Sequence, residues 1–353
     1  MLEELRTHLQ QELRLPEIKS ERCVHTQIEQ ASCRACVTHC PRQAWQLDDD
    51  SLKINIEACD GCGLCAPACT EGAILHSHEP LLRQFDQIVV ALLACEKTEV
   101  EATPGIVPCI HALSLHDLLK LYRQGVRLLI VATGQCTHCP RQPTQTLPTA
   151  LIQINQALLQ RNCTILQIQE VSADTWHSQS QLLKAPTTTE AVSRRHFFRR
   201  GLQSALKETL KFKGLLPQDQ EFFPPPGTLL PSSTQLSQLP YVPQIDPRRC
   251  NGCDTCFKIC PHEVLLLDLE NPAYVIVPEN CTGCQLCIDV CLSKAVTVTP
   301  WSIPTLTRLP LQNTRCPRCG AAFHRPIDYP SPSNLCHICT QVNHHRNLFQ
   351  VME

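Results

Sequence analysis

The chain has no apolar run approaching the 18 residues that mark a membrane-spanning helix, and Met1-Leu-Glu-Glu-Leu-Arg opens no signal-peptide core. These absences predict a cytoplasmic protein with no transmembrane segment and at most peripheral docking. Neither charge dominates: 31 Lys and Arg against 33 Asp and Glu leave a net charge of −2, which gives no support for nucleic-acid binding. A nucleophile–base set, a phosphate-cradling glycine loop and a flavin fingerprint are all missing, and the isolated histidines form no catalytic constellation. Cysteine, in contrast, is abundant, with 25 in 353 residues. At this density outside an oxidising compartment, cysteine points to metal ligation rather than disulfides.

Sixteen of the cysteines fall into four runs, arranged as two copies of one pattern. The regular copy is Cys250-Asn-Gly-Cys253-Asp-Thr-Cys256-Phe-Lys-Ile-Cys260-Pro261, then Cys281-Thr-Gly-Cys284-Gln-Leu-Cys287-Ile-Asp-Val-Cys291. This is the C-x2-C-x2-C-x3-C spacing of cubane iron–sulfur sites, twice. A short loop reaches three corners of a cubane, so each run lends its last cysteine to the other cluster. Cys250, Cys253, Cys256 and Cys291 are thereby assigned to one 4Fe-4S cluster, and Cys281, Cys284, Cys287 and Cys260 to another. Gly252 and Gly283 let the backbone curl and aim N–H groups at anionic sulfides. Between the runs, Val264 to Leu269 and Tyr274 to Val277 read as a hairpin around Glu270-Asn-Pro272.

The N-terminal copy is less regular. Cys59-Asp-Gly-Cys62-Gly-Leu-Cys65-Ala-Pro-Ala-Cys69 is complete, whereas Cys23 is separated by nine residues from Cys33-Arg-Ala-Cys36-Val-Thr-His-Cys40-Pro41. The same exchange assigns Cys23, Cys33, Cys36 and Cys69 to one cluster, and Cys59, Cys62, Cys65 and Cys40 to the other. A longer ligand loop adds little closure entropy. Without Cys23, the first set would hold only three thiolates. Both copies resemble bacterial-type dicluster 4Fe-4S ferredoxins, over roughly residues 20–80 and 241–300. The resemblance implies single-electron relay between enzymes.

Between the copies, the pattern changes to strands at Ile88 to Cys95, Ile106 to Cys109, Val126 to Ala132 and Thr164 to Val171. Helices are expected over Ser114 to Gln124 and Leu147 to Gln160. This reads as a small parallel α/β domain over 85–173. Cys95, Cys109, Cys136 and Cys139 fall at or just beyond strand ends, the edge where open sheets gather ligands. The stretch from Val107 to Cys139 resembles the iron–sulfur (delta) subunit of heterodisulfide-reductase-linked hydrogenases, which implies a 2Fe-2S cluster. The final C-x2-C is narrower than that family's usual gap. From the residues alone, a two-iron cluster, a zinc ion and cysteines packed as small apolar residues all stay open. Cys163 reads as core.

Residues 174–240 read as a linker rich in Ser, Thr, Gln and Pro. Within it, Ser193-Arg-Arg-His-Phe-Phe-Arg-Arg200 resembles a twin-arginine export segment, but no apolar core follows. A similar segment precedes the cluster domains of accessory ferredoxins in periplasmic nitrate reductase systems. Ser193 to Gly214 reads as a short basic amphipathic helix. At the C-terminus, Cys316-Pro-Arg-Cys319 and Cys336-His-Ile-Cys339 stand sixteen residues apart, the interval of a zinc ribbon over 301–353. Zinc is favoured over a rubredoxin-like iron because no glycine follows the second pair. His324, His337, His344 and His345 are left as surface or supporting residues.

The sequence therefore predicts an α+β multidomain chain. Dicluster modules at 1–80, with an N-terminal helix, and at 241–300 flank the α/β domain, and a ribbon follows. The leading functional reading is a polyferredoxin carrying four 4Fe-4S clusters, a 2Fe-2S candidate and zinc. Family resemblance suggests a molybdenum oxidoreductase partner, such as formate dehydrogenase or nitrate reductase, or a hydrogenase. Two alternatives are an accessory protein for metalloenzyme maturation and a thiol enzyme using Cys136-Thr-His-Cys139.

Overall fold

The computed structural model describes residues 15–48, 51–76, 78–86, 88–98, 100, 104–143, 146–185, 223–233, 235–330 and 334–341. The expected N-terminal helix, the basic segment Ser193 to Gly214, His344 and His345 lie outside them. The architecture is mixed α/β, and both cysteine-rich regions have a ferredoxin-like layout. Among the described residues no helix is long and apolar enough to cross a membrane.

In the N-terminal region, β1 (Glu17–Ile18) pairs antiparallel with β4 (Ile74–Leu75), and β2 (Trp45–Leu47) forms a hairpin with β3 (Leu52–Ile54). Two single-turn helices, α1 (Ala35–His39) and α2 (Cys65–Ala68), carry cysteines inward. Trp45, Leu52 and Ile74 are the buried apolar residues of the core, and Ile18, Val37, Leu47 and Ile54 pack against them together with the thiols of Cys23, Cys36, Cys40, Cys65 and Cys69. So little apolar surface makes bound metal the natural source of stability.

The middle region is a five-stranded sheet: β5 (Leu81–Phe85), β6 (Ile88–Cys95), β7 (Ile106–Val107), β8 (Val126–Ala132) and β9 (Gln167–Glu170). The order is β5-β6-β8-β9, with β7 beside the end of β6. Strand β6 is parallel to β7 and β8, and β8 to β9. The expected sheet was wholly parallel, but β5 runs antiparallel along the edge, with Leu81 opposite Leu92. A tight reversal at Asp86 joins it directly to β6 and leaves no room for a crossover.

Both faces of this sheet are covered. Leu93, Leu129 and Val131 pack against α3 (Leu115–Arg123) and α4 (Leu147–Leu159) through Leu118, Leu119, Leu151 and Ile154. Val90, Leu92 and Ile130 on the other face pack on Trp176 of α5 (Ala173–Leu182). Burial on both faces explains the continuous apolar runs of β6 and β8. Ser114 caps α3, accepting from the Asp117 N–H at 3.1 Å while the Asp117 carboxylate accepts from the Ser114 N–H at 2.9 Å. Cys163 packs against this core, as its position in the sequence suggested.

The segment read as a linker thus begins with α5. It ends with α6 (Pro226–Leu229), where Leu229 and Leu230 join the core of the α/β region. In the C-terminal region, β10 (Leu239–Ile245) pairs with β13 (Val296–Ser302). The hairpin β11 (Leu265–Asp268) and β12 (Ala273–Ile276) lies between the short helices α7 (Thr255–Ile259) and α8 (Leu286–Asp289). The sheet continues past the cluster region: β12 pairs with β14 (Arg308–Arg315), and β14 with β15 (Ala322–Pro326). Helix α9 (His337–Gln341) closes the described chain.

Candidate metal centres

The cysteine loops repeat one backbone trace. The residue before the second cysteine has positive φ in three runs, at Gly61, Gly252 and Gly283, and so does the residue after it, at Gly63, Asp254 and Gln285. Three residues beyond the last cysteine of all four runs, Gln43, Gly72, Glu263 and Lys294 are again left-handed. The interrupted run lacks the first two turns, because neither Ser32 nor Arg34, which flank its second cysteine, has a positive φ. Cys23 instead enters between two 3-10 turns, and His25 Nε2 lies 2.7 Å from the Cys33 carbonyl oxygen.

These traces aim N–H groups at sulfur. Ala44 donates to Cys40 Sγ at 3.3 Å, Ala73 to Cys69 at 3.2 Å, and Ala295 to Cys291 at 3.2 Å, each from four residues downstream. Gly61 donates to Cys59 Sγ at 3.4 Å. Such donors stabilise a thiolate, as a ligand set for an anionic cluster requires.

The thiols gather in sets. Burial pushes Cys36 up to about 12, with added repulsion from Cys69, Cys33 and Cys23. Cys65 reaches about 12 through burial and the charges of Cys62, Cys40 and Cys59. In the C-terminal region, burial raises Cys256 to about 12 with help from Cys250, Cys253 and Cys291. Cys281 also reaches about 12, by burial and Cys260. Cys287 is raised by burial, then by Cys284, Cys281, Cys256 and Cys260, so two sets meet at Cys287 and Cys256. The middle cysteines also converge: burial lifts Cys109 to about 11, with Cys95 and Cys136 adding to it, and Cys136 is raised by burial, Cys95 and Cys139. Thiols held this high bind metal only by releasing protons, and the metal then offsets the burial of their charge.

The sets also touch across regions. Cys62, Leu64, Cys109 and Ala112 form one buried cluster, which joins the middle cysteines to the N-terminal region. A cavity of about 100 Å³ is lined by Cys23, Cys33, Cys36 and Cys69 on one side and by Gly283, Cys284 and Gln285 on the other. Beside it, Glu71, 9% exposed, pairs with His262 at 2.8 Å, and the Ser32 N–H and Oγ donate to the Asp289 carboxylate at 2.9 and 2.6 Å. Gly283 has φ +81 at this junction, and any Cβ there would strike the Tyr241 ring.

The C-terminal tetrad is more compact. The sulfurs of Cys316, Cys319, Cys336 and Cys339 all lie within 4.8 Å of one another, and Cys319 and Cys336 are 3.8 Å apart. Metal–sulfur bonds of about 2.3 Å in a tetrahedron give an edge of about 3.8 Å, so one ion fits. Burial opposes charge on Cys316, but N–H groups of Cys336, Cys319 and Arg318 outweigh it and hold the thiol at about 6. His324 faces away from this tetrad. Its Nε2 lies 2.8 Å from Asp254 Oδ1 in the Cys250–Cys260 loop, which also accepts from Tyr274 OH at 2.6 Å. The Asp254 carboxyl sits below the usual range because these hydrogen bonds outweigh its burial.

Sequence reasoning missed the polar groups between the sets, although one pattern pointed to them. Four cysteines are followed by Pro and then a basic residue: Arg42, Arg141, His262 and Arg318. Each reaches into a loop other than its own: Arg42 to Asp60 at 3.8 Å, Arg141 to Asp60 and Glu96, His262 to Glu71, and Arg318 to the Cys339 carbonyl oxygen at 2.7 Å.

Residues 31–74 and 242–292 each match a family model of the 4Fe-4S dicluster domain. Two spans of the chain are thus similar to 4Fe-4S dicluster domains. Cys23 lies outside the first matched span. Hydrogenase-4 component A of Escherichia coli (strain K12) is 30% identical over 108 residues, covering 31% of this chain and 48% of the relative. The chain thus spans about half the length of that protein.

Proposed function

We propose that this chain is a multicluster electron-transfer protein in which the cysteine sets form a single file. The order is Cys95/Cys109/Cys136/Cys139, Cys40/Cys59/Cys62/Cys65, Cys23/Cys33/Cys36/Cys69, Cys260/Cys281/Cys284/Cys287 and Cys250/Cys253/Cys256/Cys291. The observation that carries the reading is the shared cavity at the junction, where thiols 200 or more residues apart in sequence line one space. Bound 4Fe-4S clusters, with a 2Fe-2S cluster in the middle set, supply one-electron storage. The chain's part is to hold thiolates, aim N–H donors at them and exclude water. Cys316, Cys319, Cys336 and Cys339 hold one zinc ion that fastens the ribbon. The likeness to a hydrogenase component favours a hydrogenase as redox partner over the molybdenum oxidoreductases that the family resemblance also suggests. A thiol enzyme would need a thiolate at neutral pH, whereas burial, Cys95 and Cys139 push the Cys136 thiol the other way.

Iron, sulfide and zinc content of anaerobically purified protein tests this, together with electron paramagnetic resonance of the reduced sample and of Cys109→Ser. About eighteen irons and one zinc, with a two-iron signal lost in the variant, are expected. About sixteen irons with an unchanged spectrum would remove the middle set from the file. Far fewer would refute the relay.

A further inference from the structure

Arg141 is 4% exposed and lies between two of the cysteine sets. Its Nε donates to Asp60 Oδ2 at 3.0 Å, one Nη to Glu96 Oε1 at 2.7 Å, and the other to the Pro108 carbonyl oxygen at 2.6 Å. Each acceptor sits next to a cysteine: Asp60 follows Cys59, Glu96 follows Cys95, and Pro108 precedes Cys109. Arg141 itself stands two residues after Cys139. Asp60 passes the contact on, because its Oδ1 accepts from the Cys62 N–H at 3.3 Å. One planar fork therefore touches loops carrying Cys59, Cys62, Cys95 and Cys109, where Cys62 and Cys109 already pack together. Only a guanidinium presents donors in three directions from one rigid plane. The other cations nearby contribute less: Arg42 is 3.8 Å from Asp60 and Lys97 4.0 Å from Glu96, and both are more than half exposed.

We infer that Arg141 is a positioning residue that couples the middle cysteine set to the Cys40/Cys59/Cys62/Cys65 set and sets the reduction potential at both. The inference rests on the reading that both sets hold iron–sulfur clusters. The chemistry is electrostatic. Accepting an electron adds negative charge, and a buried guanidinium within one loop of each set favours that state. Removing it withdraws the buried positive charge that lies closest to the Asp60 and Glu96 carboxylates and leaves beside them the more distant, more exposed Arg42 and Lys97. Both effects make reduction harder. The hinge-free fork also fixes the spacing of the two sets, because the acceptors on either side are bound by the same plane.

The test uses the full-length protein, purified anaerobically, and redox titrations followed by electron paramagnetic resonance. The middle signal is assigned by its loss in Cys109→Ser and the neighbouring one by its loss in Cys62→Ser. Arg141→Gln should move both midpoint potentials to more negative values, and Arg141→Lys, which keeps the charge, should recover most of that shift. Glu96→Gln, which keeps an acceptor for the fork but removes a negative charge, should move both to more positive values. A purely structural Arg141 would not give opposite signs. Unchanged potentials in Arg141→Gln at full iron content, or a shift at only one set, would overturn the coupling. If Arg141→Gln loses iron, Glu96→Gln decides: no positive shift refutes the inference. A wild-type protein with no Cys109-dependent signal would instead refute the underlying assignment, and the coupling with it.

Discussion

Removing one thiolate from the C-terminal tetrad should melt β15 while leaving β14 in place. The ribbon's own apolar core consists of Phe323 and Leu335, both only partly buried, around Cys316, Cys336 and Cys339. Two such side chains supply at most about 1.5–3 kcal/mol each, whereas a structural thiolate site contributes on the order of 10–16 kcal/mol. The proposed ion would therefore be the largest stabilising contribution to everything beyond Arg315, and Cys339→Ser should remove most of it. Strand β14 has a second anchor, because Arg308, Leu309 and Pro310 pair with Val275, Tyr274 and Ala273 of β12. Hydrogen exchange read by mass spectrometry should show residues 322–326 losing protection in the variant, or in wild type treated with a zinc chelator, while residues 308–311 keep theirs. The change should reach the cluster region, since a Cβ at Gly252 would lie on the His324 carbonyl oxygen and His324 is bound to Asp254. Released from β15, the Cys250–Cys256 loop becomes open to water, and the spectrum of the Cys250 set should shift. Wild-type protection of residues 322–326 in zinc-free Cys339→Ser would refute the reasoning.

Two further outcomes follow from the same structure. Trp176 is fully buried on the sheet face opposite α3 and α4, so Trp176→Ala should lower unfolding free energy by about 3–5 kcal/mol in denaturant titrations, and Trp176→Phe by less. A near-zero effect would mean that α5 is not part of that domain. Asp254, held low by His324 and Tyr274, stabilises the fold above its unfolded value of about 3.9, and that contribution disappears as pH falls through the lower folded value. Thermal unfolding of wild type and Asp254→Asn, followed from about pH 6 to about pH 3, should therefore converge at the acid end. Parallel curves would contradict it.

Local chemistry decided what could be read from the chain. Strands β6 and β8 were legible because burial on both faces leaves unbroken apolar runs, and α3 because Ser114 and Asp117 form a reciprocal cap. The dicluster regions were legible because a cubane's reach fixes cysteine spacing within a dozen residues. Strand β5 was not, since Leu81-Leu-Arg-Gln84 is half-buried throughout, Phe85 is exposed, and the run shows no alternation. Helix α5 hid in a polar stretch, Ala173-Asp-Thr-Trp-His-Ser-Gln-Ser-Gln-Leu182, where one tryptophan carries the burial that a helical face usually spreads over several residues.

The neighbours of the cysteines belong to a different level of organisation. A ligand can be inferred from residues a few positions away, but Glu71 meets His262 across 191 residues and Arg141 meets Asp60 across 81. The sequence does mark one side of each contact, through the basic residue after Cys-Pro. A proline there ends the helical turn and turns the next side chain away from its own loop. What it cannot mark is the group that receives that side chain, because the pairing depends on how distant loops are brought together: for His262 and Glu71, on how α6 and β10 fold the second dicluster region back onto the first. Glu71 shows the consequence: its charge raises the Cys284 and Cys281 thiols, after burial, although its own loop belongs to Cys69. Part of the electrostatic environment of the Cys260/Cys281/Cys284/Cys287 set is thus provided by the opposite region. Separated halves of the chain would keep their cysteines but lose the charges beside them, so a relay rebuilt from two isolated dicluster regions should not reproduce the potentials of the intact chain.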